Sequence, residues 1–168
     1  MASVQKKQLT REENKGPKSS VAKAREKLYR EAISRIKNAI EHRYPLEAIA
    51  LLESMIADRL EARLAKIRIQ DPCKGAFSTL GKLTKKLGGE ELKESEAAKV
   101  LYNAVTLWAD RRNEALHQMV KLAEGDTKDW AARLEEAQAT AEAGMTLFRK
   151  LDRLVRGLNK SLSSTLPP

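Results

Sequence analysis

Between residues 28 and 40 the apolar positions Leu28, Tyr29, Ala32, Ile33, Ile36, Ala39 and Ile40 return every three or four residues. That spacing gathers side chains on one face of an α-helix. Ser19 or Ser20 can cap its first turn, and the helix is expected to end near His42. Pro45 suits the first turn of a second helix, where a missing N–H costs nothing, and Leu46, Ile49, Leu52, Ile56, Leu60, Leu64 and Ile67 supply its buried stripe. Residues 19–67 therefore read as an αα-hairpin.

The pattern then fails. Pro72, Gly75, Gly81, Gly88 and Gly89 interrupt residues 68–89, leaving a short apolar piece over 77–87 that predicts a brief helix. A third long pattern starts near Glu91, runs through Ala97, Leu101, Ala104, Val105 and Trp108 to Leu116, Met119 and Val120, and stops around Gly125. Unbroken, it would reach about 50 Å at about 1.5 Å per residue, more than a helical domain of this size needs, so a bend or break is expected over residues 110–113. Asp126 or Thr127 then caps a fourth helix with the stripe Trp130, Leu134, Ala137, Ala141, Met145, Phe148, Leu151, Leu154 and Leu158. The closing SLSSTLPP carries no helical signal. The expected fold is all-α: a four-helix bundle of up-and-down character, with a short extra helix between helices 2 and 3. One domain, residues 19–160, lies between a flexible, mildly basic arm (1–18) and a flexible tail (161–168). Both tryptophans, Trp108 and Trp130, fall on apolar stripes and are assigned to the core rather than to stacking on bases.

Composition agrees with helices, because aromatics make up only 4% of a chain rich in Leu, Ala, Glu, Lys and Arg. Charge adds a partner. The net charge of +9 calls for something acidic, either nucleic acid or an anionic surface. No apolar run approaches the roughly 20 residues that cross a bilayer, so no membrane partner is expected. The opening MASVQKKQLTREENKGPKSS is too polar for a secretory signal, which implies a cytoplasmic protein. With Cys73 alone and only His42 and His117, no zinc-ligand spacing occurs, and neither a metal nor another cofactor is expected. Lys74, Lys82, Lys85 and Lys86 make the interrupted segment basic, as a solvated loop or as cations near a phosphate. Gly75 followed by Gly81-Lys82-Leu83 fails as a nucleotide-binding phosphate loop, being one residue too long and lacking Ser or Thr after the lysine. On the last helix Arg149, Arg153, Arg156 and Lys160 recur at intervals of four, three and four and share one face. That stripe fits RNA, although cations near a helix C-terminus also complement its dipole.

The candidate chemistry lies in Arg112-Asn113-Glu114-Ala115-Leu116-His117. Transesterification of RNA needs a base for the 2′-hydroxyl proton, an acid for the leaving oxygen, and cations where charge builds on the phosphorane. Histidine, with an ordinary pKa of about 6.5, serves the first two needs and arginine the third. Asn113 stands one turn before His117 on the same face and can hold the imidazole or a phosphate oxygen. Arg111 is a further candidate for substrate contact. Positions 112 and 117, however, are about 140° apart around a regular helix. Convergence needs a local break, the reach of arginine, or a second copy across a two-fold axis. The same residues also suit the polar outer face of a helix.

Arg112-Asn113-x-x-x-His117, set at the end of a long third helix in a basic helical chain, resembles the signature of the HEPN superfamily: an arginine, usually a polar residue after it, and a histidine four to six residues later. YPLEAIALLESMIADRLEARL also looks like the second helix of such domains, and the resemblance covers roughly residues 20–160. It implies a metal-independent endoribonuclease acting as a homodimer, with Arg112, Asn113 and His117 of two chains in one cleft and a cyclic phosphate product. Members commonly serve as toxins or antiviral effectors, which implies a cognate antitoxin or regulatory protein. One departure stands out. Members modified by a partner nucleotidyltransferase carry a tyrosine two residues after the histidine, whereas this chain has Met119. The rival readings are a non-catalytic helical RNA-binding or adaptor module and an antitoxin-like partner protein.

Overall fold

Arg43, with a φ of 60°, ends the first helix. Its N–H donates to the Ile40 carbonyl at 3.2 Å, and the Tyr44 N–H reaches the Ala39 carbonyl at 2.7 Å. These are the two bonds of a Schellman stop, usually built on glycine because a Cβ makes the left-handed conformation costly. Here arginine takes the position, and its guanidinium pairs with Glu135 far along the chain. In the computed structural model, which describes residues 20–67, 80–91, 95–117, 119, 121 and 127–165, this stop separates α1 (Ser20–Glu41) from α2 (Pro45–Lys66). Three more helices follow: α3 (Leu80–Glu91), α4 (Glu96–His117) and α5 (Trp130–Thr165). The fold is all-α, with five helices and no strand among the described residues. None of the helices is long and apolar enough to cross a membrane.

The second helix is central and touches the other four. Ala48, Ile49, Leu52, Ile56, Leu60 and Leu64 along it are fully enclosed. Facing them, α5 contributes Ala137, Ala141, Phe148, Leu151 and Val155. Polar contacts set the directions. Arg59 meets Asp152 at 2.6 Å, and Arg63 Nη1 donates to Asn159 Oδ1 at 2.9 Å, so α2 and α5 run parallel. Arg35 on α1 bonds Glu47 on α2 at 2.6 Å while Tyr29 donates to Asp58, so the hairpin is antiparallel. The short α3 lies on α4 and α2, with Leu80, Leu83 and Leu87 buried and Thr84 bonded to Thr106 at 3.0 Å.

Several boundaries differ from the sequence pattern. The brief helix runs through Gly88 and Gly89 to Glu91, because burial of Leu83 and Leu87 outweighs the glycines' low propensity. The next helix therefore begins later, at Glu96, where the Ser95 hydroxyl accepts the Ala98 N–H at 3.3 Å. No break occurs over residues 110–113. Instead α4 is continuous and shorter, ending at His117. The cap of α5 is Asp129, whose Oδ1 accepts the Ala132 N–H at 2.8 Å; Thr127 lies outside the helix, and Asp126 lies outside the described residues. At the far end α5 continues through Ser161 to Thr165, contrary to the reading of the tail as non-helical. Once a helix exists each added residue contributes a bond, and the Ser161 hydroxyl also bonds the Gly157 carbonyl at 3.2 Å. The proposed N-terminal arm, residues 1–18, lies outside the described residues.

Two large apolar side chains expected inside, Leu28 and Trp130, are exposed, as is the small Ala97 at the start of α4. Leu28 is 64% exposed, although Tyr29 beside it packs on Phe148 and under Arg59, so Leu28 lies at the margin of the buried face of α1. Trp130 is 56% exposed. Its place on the apolar stripe is real, but it is the first residue of α5, whose buried positions begin only at Arg133. Trp108 does join the core. It is 4% exposed, and its indole N–H donates to the Thr140 carbonyl at 2.9 Å.

Candidate active site

Burial of Ala98, Tyr102, Val105, Trp108 and Ala109 fixes the rotation of α4. That register carries Arg112, which follows Trp108 by one turn, to the edge of the packed face. Its side chain is only 14% exposed, and Nη2 donates to Oε1 of Glu53 on α2. The Arg112 Nε is enclosed and has no hydrogen-bond partner among the described residues. Arg111, Asn113 and His117 point outward and are exposed. Asn113 and His117 stand one turn apart on one face, and His117 is the last residue of α4.

The continuous helix keeps Arg112 and His117 about 140° apart. No hydrogen bond or ion pair joins them among the described residues. The arginine is drawn towards α2 and the histidine towards solvent. Within one chain the structure thus brings Asn113 and His117 together and leaves Arg112 engaged elsewhere.

Glu53 is the residue that the motif did not reveal. Its signal was present in α2, where a carboxylate occupies the helical series Ile49, Glu53, Ile56, Leu60, Leu64 that is otherwise apolar. A charge in a buried stripe requires a partner from a neighbouring helix, because desolvating it alone is costly.

The basic residues of α5 lie elsewhere. Arg149, Arg153, Arg156 and Lys160 are all exposed and share a face. Arg156 Nε bonds Asp152 Oδ2 at 2.9 Å, which offsets its charge. Thr140 and Gly144 of α5 flank Trp108, while residues 150–161 flank the first turns of α4, so these two helices are antiparallel. From the rise of about 1.5 Å per residue, Arg149 lies about 16 Å along the axis from Arg112 and Lys160 about 33 Å. The stripe and the motif occupy opposite ends of α4. Among the described residues no group of three His, Cys, Asp or Glu side chains is placed to hold a metal ion. Comparison with protein-family models, with curated proteins and with solved structures finds no match to this chain.

Proposed function

We propose that this protein is a metal-independent endoribonuclease that cleaves RNA at a composite site made by two copies meeting through the ends of α4. The observation that supports it is the presentation of His117 and Asn113 on the open end of that helix, beside an arginine held in place by Glu53. An imidazole takes the 2′-hydroxyl proton, the 2′-oxygen attacks phosphorus, and the 5′-oxygen leaves with a proton from an imidazolium, giving a 2′,3′-cyclic phosphate. One chain offers one histidine at this end of α4, and the facing chain provides the second. Arg112 stabilises the phosphorane by exchanging the Glu53 carboxylate for phosphate oxygens. Asn113 orients the imidazole or the phosphate, and Arg111 adds a substrate contact. Arg149, Arg156 and Lys160 hold more distant RNA backbone. In this reading α1, α2, α4 and α5 form an up-and-down four-helix bundle with α3 as the extra helix. The protein acts in the cytoplasm as a toxin or antiviral effector under a cognate antitoxin or regulator.

The Arg112–Glu53 pair also favours a second reading, a non-catalytic RNA-binding or adaptor module, because the cation nearest the histidine is already neutralised. Cleavage separates the two. With a chelator present, the purified chain is expected to cut single-stranded RNA and leave cyclic phosphate ends. His117→Ala and Arg112→Ala are each expected to lower the rate by about two to four orders of magnitude. Equal cutting by all three proteins would remove the assignment. RNA binding without cleavage, weakening steeply with salt and surviving both substitutions, would establish the adaptor.

A further inference from the structure

Between the first turns of α4 and the C-terminal half of α5 lies an open groove of about 760 Å³. Its floor is aliphatic, made by Ala97, Val100 and Leu101 on one side and Leu154, Gly157 and Leu158 on the other. Val100 is 66% exposed there, and a Cβ built on Gly157 would meet nothing within 4 Å. The groove therefore has room for side chains that the described residues do not supply.

The charges at its rim are unequal. Glu96 on the α4 side is 3.9 Å from Lys99 and so has a cation already. Lys150 and Arg153 on the α5 side meet no carboxylate among the described residues. Arg149 and Lys160 on the same helix add positive potential. Cations bordering an aliphatic trough fit a ligand with an apolar stripe and carboxylates along one edge. The lining of α5 from Lys150 to Ser161 spans about 16 Å, three turns of an opposing helix.

We propose that this groove is the docking site for an acidic amphipathic helix of a partner protein. Its apolar side chains seat on Val100, Leu101, Leu154 and Leu158, one of them over Gly157, and its carboxylates meet Lys150 and Arg153. Nucleic acid suits the trough poorly, since among the described residues no aromatic ring or polar floor lines it to stack or bond a base. A second copy would bring its own uncompensated Lys150 and Arg153 to the same place. The groove lies about 16 to 24 Å along α4 from Arg112, so its occupancy does not depend on the chemistry proposed there.

The test selects peptides of about four turns from a displayed library against the full chain. Apolar residues are fixed at helical spacing and the remaining positions are random. Acidic sequences are expected to win. A synthesised winner should bind about tenfold more weakly to the Lys150→Glu/Arg153→Glu double variant, the loss that two rim ion pairs imply. Gly157→Leu should abolish binding while leaving the melting temperature unchanged or higher, because it fills open space and adds helix propensity. Neutral or basic winners, no winners, or binding indifferent to Gly157→Leu would overturn the proposal. So would a dimer in sedimentation that Gly157→Leu dissociates, or protection of a Val100→Cys thiol by single-stranded RNA instead of the peptide.

Discussion

At Gly144 a Cβ would stand 2.7 Å from Cε2 and Nε1 of Trp108. The indole is fixed by its bond to Thr140 and has no room to retreat. Gly144→Ala is therefore expected to lose about 1–3 kcal/mol through overpacking, despite alanine's better helix propensity. Gly157→Ala, in open space on the same helix, should gain about 0.5–1 kcal/mol. Urea unfolding midpoints would show opposite signs for one chemical change, and matching signs would refute this packing of α4 on α5. The Arg112–Glu53 pair gives a second residue-level prediction. With side chains 14% and 34% exposed, it is drier than a surface pair but less costly to break than a buried one. A double-mutant cycle to alanine should find a coupling of about 1–3 kcal/mol, and a value near zero would mean that Glu53 does not hold Arg112. Neither contact was legible in the chain. Spacing showed that Arg112 and His117 diverge but not which neighbour would claim the arginine, since that depends on how α2 and α4 cross.

Among the elements, periodicity located the long helices well because burial is what spaces their apolar residues. Ile49, Leu52, Ile56, Leu60 and Leu64 were expected inside and are fully enclosed. Ends were less legible, since several side chains compete to cap a helix and only the folded backbone decides. Ser95 and Asp129 hold the caps, whereas Glu91 and Thr127 lay at the expected starts. Asp129→Ala should accordingly cost about 1 kcal/mol and Thr127→Ala less than about 0.5 kcal/mol in thermal or urea unfolding. The reverse order would place the start of α5 earlier. Trp130 was misread for a related reason. A stripe identifies the side of a helix that faces the core, but not how far the neighbouring helix extends alongside it.

Across the whole molecule, α4 carries two separate regions at its two ends. Its C-terminal end presents Asn113 and His117, while its first turns and the far half of α5 form the basic, aliphatic groove. The net charge of +9 suits an acidic partner at either end, and charge alone does not divide them. Catalysis at the first end requires Arg112 and His117 to act together although one helix holds them apart, which is why a second copy is central to the account. The most direct measurement is RNA cleavage, at constant total protein, by wild type mixed and re-equilibrated with increasing His117→Ala protein. A composite site predicts that the rate falls with the square of the wild-type fraction, because mixed dimers hold one histidine where the base and the acid need two. A rate that stays proportional to the wild-type fraction would contradict it.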